Sequence, residues 1–487
     1  MPIALPLALI FGLVFGVLIW LLPALKVLVL MVGIAAAVTV VRQPMRGLLL
    51  FAVLATFLPY STVQIGLRTT VSEALLLLVW ASILAQGLFS NLPRPPRLLR
   101  TEKLLLALMA FSALPFIIGQ VTVNADGNGP VNWVRWLLNL SALFLVRRLL
   151  QQAKAREQLV CGLLLGTLLL LLLSIPVFLK NGSATAMTPI LEKLGYGGIA
   201  VLGDSLSALA NRMGSPWMHP NVTGGAMALL LPLAFCFGLT RSGWQRNLGL
   251  AVALLGAAGL LLSGSRGALL SLLIVLIWMA RQRVPYTGRM LMGGFVLGAL
   301  LLMSYPPLQD RLLTLFTSND ASTSVRVDEY SHFPAAMAMF PFGIGFKVDP
   351  PVPGTGLWGI SNLWLNYIYK IGVPGMLLFV AVIWSWWRET RVPGVAIQLN
   401  RDNALWLGSG AGLSAALISG LFDHYFSFTQ VLIALFWLLL GLNLHEARRL
   451  RLKAGAAAPR VTPDSPPQES SHETSPLPLA EPETGLA

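Results

Sequence analysis

Cysteine, histidine and charge are all scarce in this chain, and each scarcity removes a class of function. The only two cysteines, Cys161 and Cys236, lie inside apolar runs. They offer neither a disulfide framework nor metal-ligand spacing, and no metal or other cofactor is expected. Charged residues fill 11% of 487 positions, against about 25% in soluble globular domains. That shortfall excludes a water-soluble enzyme. Hydrophobic residues take 56% of the chain, in repeated runs near the ~20 residues that cross a bilayer as helix. The fold class is an all-α polytopic membrane protein with about twelve to fourteen transmembrane helices.

The few charges are arranged. Arginine and lysine collect in short loops at Arg42 and Arg46, Arg94 to Lys103, Arg147 to Arg156, Arg241 and Arg246, Arg281 to Arg289, Arg388 and Arg391, and Arg448 to Lys453. These clusters fall on alternate loops, as one consistent topology requires, and the positive-inside rule puts them in the cytoplasm. The net charge of +14 is thus an orientation signal at a bilayer, and nucleic acid is not an expected partner. The apolar run at the N-terminus has no basic n-region and is expected to be a retained span. Both termini are then cytoplasmic, and two long polar loops face outward. The expected organisation is N-terminal helices over 1–179, a first outer loop over 180–220 and central helices over 221–304. A long outer loop over 305–360, C-terminal helices over 361–453 and a polar tail over 454–487 follow. The tail is rich in Pro, Ser, Thr and Glu, a composition that cannot bury a core.

Candidate chemistry lies at the outer ends of the spans. Ser263-Gly264-Ser265-Arg266-Gly267 joins two apolar runs where positive charge is disfavoured. Arg266 there reads as a phosphate clamp at a helix N-terminus or as a guanidinium snorkelling to headgroups. In the long loop, Arg326 adds a second permanent cation, and Asp328, Glu329 and His332 are proton acceptors or ordinary solvated groups. Ahead of the central helices stand Arg212, Trp217, His219 and Asn221. Trp217 suits a sugar face or the membrane interface, and His219 suits a structural or a catalytic role. Glu73 and Arg135 lie within or beside spans, where ionisable groups mark sites, although Glu73 also fits a helix N-terminus. Asp423-His424-Tyr425, on a short outer turn, is equally open.

Three segments together resemble the O-antigen ligase and O-antigen polymerase family. They are Arg212 with Pro220-Asn221 followed by Ser265-Arg266-Gly267; Arg326 followed by Phe340-Pro341 and Gly343-Ile344-Gly345; and Ser361-Asn362-Leu363-Trp364-Leu365 followed by Gly372-Val373-Pro374-Gly375. The resemblance covers roughly residues 212 to 444. It implies a multi-helix scaffold of the GT-C type in the bacterial inner (cytoplasmic) membrane, with a periplasmic site. It implies a donor glycan on undecaprenyl pyrophosphate, an acceptor that is a second glycan or lipid A core, and inverting transfer without a metal. Arg266 and Arg326 match the family arginines that hold the pyrophosphate. Where family ligases place a histidine base before the asparagine of the third segment, this chain has Ser361, beside Asn362.

A serine hydroxyl of ordinary pKa cannot take a proton at neutral pH. His332 and Glu329 are the first candidates for the base, then Glu73 and His219; Arg212, Trp217, Asn221, Ser361 and Asn362 are expected to contact substrate. The competing classes are a lipid-linked oligosaccharide flippase or other secondary transporter, which would carry polar groups near the bilayer midplane, and a non-catalytic assembly factor.

Overall fold

The computed structural model describes residues 24–58, 63–65, 67–89, 97–123, 129–181, 188–193, 212–214, 219–304, 321–347, 360–392 and 397–457, with single residues 12, 16, 60, 196, 306 and 309 between them. The expected span over 5–22 lies almost wholly outside these, as do Trp217 and the tail from residue 458.

From residue 24 the apolar runs form helices: α1 (Ala24–Arg42), α2 (Pro44–Phe57), α3 (Val71–Phe89), α4 (Arg100–Phe111), α5 (Ala113–Thr122), α6 (Gly129–Leu149) and α7 (Ala153–Asn181). After the short α8 (Thr188–Lys193) come α9 (Pro220–Thr240), α10 (Gly243–Ser263), α11 (Arg266–Arg281) and α12 (Thr287–Ser304). The chain continues with α13 (Ala321–Met339), α14 (Leu363–Thr390), α15 (Ala404–Ser419), α16 (Tyr425–Phe428) and α17 (Gln430–Ala457). Eight described segments are long and apolar enough to cross a membrane, and three shorter apolar helices accompany them. Among the described residues the protein is all-α apart from one hairpin, β1 (Val63–Ile65) with β2 (Leu67–Thr69), in antiparallel register Val63 to Thr69.

One feature differs from the sequence reading. The long loop expected over 305–360 contains a 19-residue helix, α13, with Pro334 inside it. Its Ala336, with Phe340 and Ile344 beyond it, packs on Val123, Ile360 and Tyr369, which supplies the tertiary burial that overrides local propensity. The last helix, α17, begins at Gln430, after α16 ends at Phe428.

The helices α9 and α17 form the centre, each with 89% of its apolar window buried. Over 224–239 of α9 and 431–442 of α17 the residues are apolar on all sides, as fully surrounded helix segments must be. The basic loops meet at one end of the bundle. There Glu389 accepts from the N–H groups of Arg100 and Thr101, at 3.0 Å each. Arg156 pairs with Glu446, Arg241 with Glu157 at 3.0 Å, and Lys453 with Asp402 at 3.1 Å. Arg135 and Arg147 lie twelve residues apart on α6, about 18 Å of helix, so Arg135 and its partners mark the opposite end.

At that opposite end α14 is interrupted. Ile371 and Gly372 leave helical geometry, Gly372 with φ +71°. The break frees the carbonyls of Tyr369 and Lys370, which accept from the N–H groups of Ile344 (2.8 Å) and Gly345 (3.0 Å). The loop reaches them because Gly343 (φ +83°) and Gly345 (φ +68°) adopt left-handed backbone, which glycine tolerates. Two of the segments named above, Phe340-to-Gly345 and Gly372-to-Gly375, are therefore halves of one backbone joint.

Candidate active site

The site is assembled at the ends of the two central helices. Proline at the first position of α9 suits a helix start, and His219 caps it by accepting from the Asn221 N–H at 3.1 Å. Gly224 and Gly225 then let neighbours approach closely. A Cβ on Gly224 would lie 2.5 Å from the Ser265 side chain, and one on Gly225 would lie 2.2 Å from the Tyr425 ring. Two other turns are thereby drawn onto the head of α9: the Ser-Arg-Gly hairpin between α10 and α11, and the turn before α17. Gly267 in turn abuts Phe422.

A chain of polar contacts links these pieces. Arg212 donates through Nε to the Ser263 carbonyl at 2.9 Å and through Nη2 to Asn221 Oδ1. Asn221 Nδ2 donates to Asp423 Oδ2 at 3.1 Å. Asp423 Oδ1 accepts from the His424 N–H at 2.8 Å, with His424 Nδ1 at 3.5 Å. The same turn receives Asn362, whose Nδ2 donates to the Leu421 carbonyl at 3.0 Å. Asn362 also caps α14, its Oδ1 accepting from the N–H groups of Trp364 and Leu365. One residue earlier, Ser361 donates to Glu329, through its N–H at 2.8 Å and its hydroxyl at 2.9 Å. Contacts thus run from α13, which carries Arg326 and Glu329, to the hairpin that carries Arg266.

The electrostatics are uneven. Burial and the nearby Arg212 cation lower His219 to about 4, so its imidazole is neutral at physiological pH. Burial pushes the Asp423 carboxyl up, but hydrogen bonds from His424 and attraction to His424 and His219 outweigh it and leave it below its ordinary value. Burial raises the Tyr425 phenol, an effect the neighbouring Arg326 opposes. Arg326 Nε is buried and, among the described residues, has no hydrogen-bond partner. An N–H of a permanent cation left bare in this way is a ready anion donor.

The sequence candidates therefore separate. Arg212, His219, Asn221, Asn362, Ser361 and Glu329 join one network with Asp423, and Arg266 and Arg326 flank it. His332 shares α13 with Glu329 but turns to its own helix, 3.2 Å from Asp328 Oδ1 and 3.1 Å from Ser331 Oγ. Glu73 is elsewhere. It accepts from Arg135 Nη2 at 2.8 Å, Asn139 at 2.9 Å and the Thr70 N–H at 2.9 Å, and Asn139 also donates to Gln430 on α17. That network ties α3, α6 and α17 together. Asp423, left open by the sequence, is drawn into this network by its contact with Asn221. Its only sequence signal is an acid on a short turn at the end opposite the arginine clusters.

Residues 251–380 match the family model described as O-antigen ligase. That segment is similar to an O-antigen ligase domain. The match supports the O-antigen ligase/polymerase family and hence a glycosyltransferase-like activity in a multi-pass bacterial membrane protein. No curated protein matches the chain. The ligase segment takes in Arg266, Arg326, Glu329, Ser361 and the Gly372 joint. Arg212 and Asp423 lie outside it in sequence but touch it in space, at the Ser263 carbonyl and the Leu363 N–H, and Asn221 bridges the two.

Proposed function

We propose that the protein is an inverting, metal-independent glycosyltransferase of the O-antigen ligase/polymerase type, working at the periplasmic face of the bacterial inner membrane. Its donor is a glycan on undecaprenyl pyrophosphate, and its acceptor is a hydroxyl of another glycan or of lipid A core. The observation that carries this reading is the joining of the Arg266 hairpin to the Arg326–Glu329 helix by one polar network, at the end away from the basic loops.

Pyrophosphate is a fair leaving group once its developing charge is neutralised. Arg326, with its bare Nε, and Arg266 supply fixed positive charge at a partly dehydrated membrane face, where such charge acts strongly. As the sugar C1–O bond to phosphate breaks, the acceptor oxygen bonds C1 from the opposite face. Its proton passes to the Glu329 carboxylate, directly or through Ser361 Oγ, and the electron pair leaves with the lipid pyrophosphate. Glu329 is better placed than His332 for this role because it contacts Ser361, whereas His332 turns to Asp328 on its own helix. Arg212 and Asp423 act as positioning residues through Asn221.

A transporter would offer open carbonyls at a broken helix; the break in α14 has its carbonyls taken by Ile344 and Gly345. Purified protein given a lipid-linked glycan and an acceptor should release undecaprenyl pyrophosphate and form one new glycosidic bond. Product formation by an Arg266→Ala/Arg326→Ala double variant at the wild-type rate would rule the mechanism out.

A further inference from the structure

The end that holds the basic loops carries an apolar groove of about 570 Å³, within the ~300–1,000 Å³ of ordinary ligand pockets. It is walled by Ile274 and Trp278 of α11, Trp386 and Trp387 of α14, and Trp406 and Ser414 of α15, with Arg391 beside them. Two of its four indole N–H groups are already used. Trp386 Nε1 donates to Asn443 Oδ1 and Trp406 Nε1 to the Thr390 carbonyl, both at 2.9 Å. The groove offers mainly carbon to its occupant.

Its rim is cationic. Arg281, Arg388 and Arg391 are exposed, and among the described residues none has a carboxylate partner. Glu389, between two of them, is spent on the N–H groups of Arg100 and Thr101 and on the Thr101 hydroxyl. Arg391 lies over the Trp387 ring at 4.9 Å, which orients the guanidinium without neutralising it.

An apolar trough with uncompensated guanidinium at one end fits an anionic amphiphile. We propose that this groove binds one anionic phospholipid, its acyl chain among the tryptophans and its phosphate on Arg391, with Arg281 and Arg388 adding field. The site is distinct from the candidate active site, at the other end of the bundle, and does not depend on the proposed transfer chemistry.

The test uses the full chain in neutral detergent, titrated with phosphatidylglycerol or phosphatidylcholine, with melting temperature and retained lipid (by native mass spectrometry) as readouts. Phosphatidylglycerol should raise the melting temperature and be retained as one molecule; phosphatidylcholine should do neither. Arg391→Gln should raise the half-saturating phosphatidylglycerol fraction about fivefold, the effect of one basic residue at an anionic surface. Ser414→Leu fills the trough and should abolish retention while the protein still melts cooperatively. Equal responses to the two lipids would overturn the proposal. So would retention that survives Ser414→Leu, because the headgroup alone would then be binding; if that variant fails to fold, the lipid comparison and Arg391→Gln still decide.

Discussion

Glu329 accepts two hydrogen bonds from one residue, Ser361, at 2.8 Å from the N–H and 2.9 Å from the hydroxyl. The carboxylate is thereby fixed against the loop that starts α14. Ser361 stands where the resemblance expects a histidine base, and the acid it contacts is the one to which the proposed mechanism gives that role. Glu329→Gln keeps the shape and removes the basicity, so transfer should fall about 10²–10⁴-fold. Ser361→Ala removes one contact and should cost about tenfold or less. Initial rates of the purified variants decide, and a Glu329→Gln enzyme within threefold of wild type would reassign the base.

Arg266→Ala and Arg326→Ala should each lower transfer by about 10²–10³-fold, the usual effect of deleting one charge-stabilising donor. Lysine at either position should recover little, because it lacks the planar fork that meets two phosphate oxygens. Glycan ladders from cells, normalised to protein level by immunoblot, measure both. Full recovery by lysine would mean that point charge alone is needed.

His219 gives the protein an acid-sensitive seam. Its folded pKa, about 4, lies below the ~6.5 of a free imidazole. Between those values the unfolded chain binds a proton that the folded protein does not, so stability falls as pH drops from about 6.5 to about 4. The depressed Asp423 carboxyl adds a loss only at still lower pH. His219→Asn keeps a capping acceptor for α9 and removes the titration. Melting temperatures between pH 7 and 4.5 should drop less for the variant than for wild type; parallel slopes would place the acid sensitivity elsewhere.

Glu73 should matter for folding rather than for turnover. It is 1% exposed and Arg135 is 15% exposed, so Glu73→Ala leaves a mostly buried guanidinium uncompensated, at a cost of about 3–5 kcal/mol. Glu73→Gln/Arg135→Gln should recover part of that loss. Turnover per folded molecule should stay within a few-fold of wild type in both. A large rise in acceptor KM with unchanged melting would return Glu73 to the substrate site.

The parts of this molecule legible in sequence are those written locally. A run such as 221–240 declares its helix by composition, and the loops near Arg100, Arg156, Arg241 and Arg449 declare a common side by charge; these loops do meet in the structure. The candidate site was legible only in part, because its bonds join residues remote in the chain. Asn221 and Asp423 are 202 positions apart, and no spacing rule connects them. Glu73 and His332 show the opposite failure. Each is a plausible acid or base by residue type, yet the structure pairs one with Arg135 and turns the other toward Asp328. Helix α13 was hidden because its support comes from Val123, Ile360 and Tyr369, not from its own sequence.

The stitch between Gly343–Gly345 and the Tyr369–Gly372 stretch has a practical meaning for anyone exchanging modules between such enzymes. A Cβ on Gly343 would sit 2.6 Å from the Lys370 carbonyl carbon, and one on Gly372 would sit 3.0 Å from the Phe342 carbonyl carbon. A chimera that grafts the outer segment without its matching transmembrane stretch would bring mismatched edges together. Transplants should be cut outside both, carrying loop and helix as a single cassette.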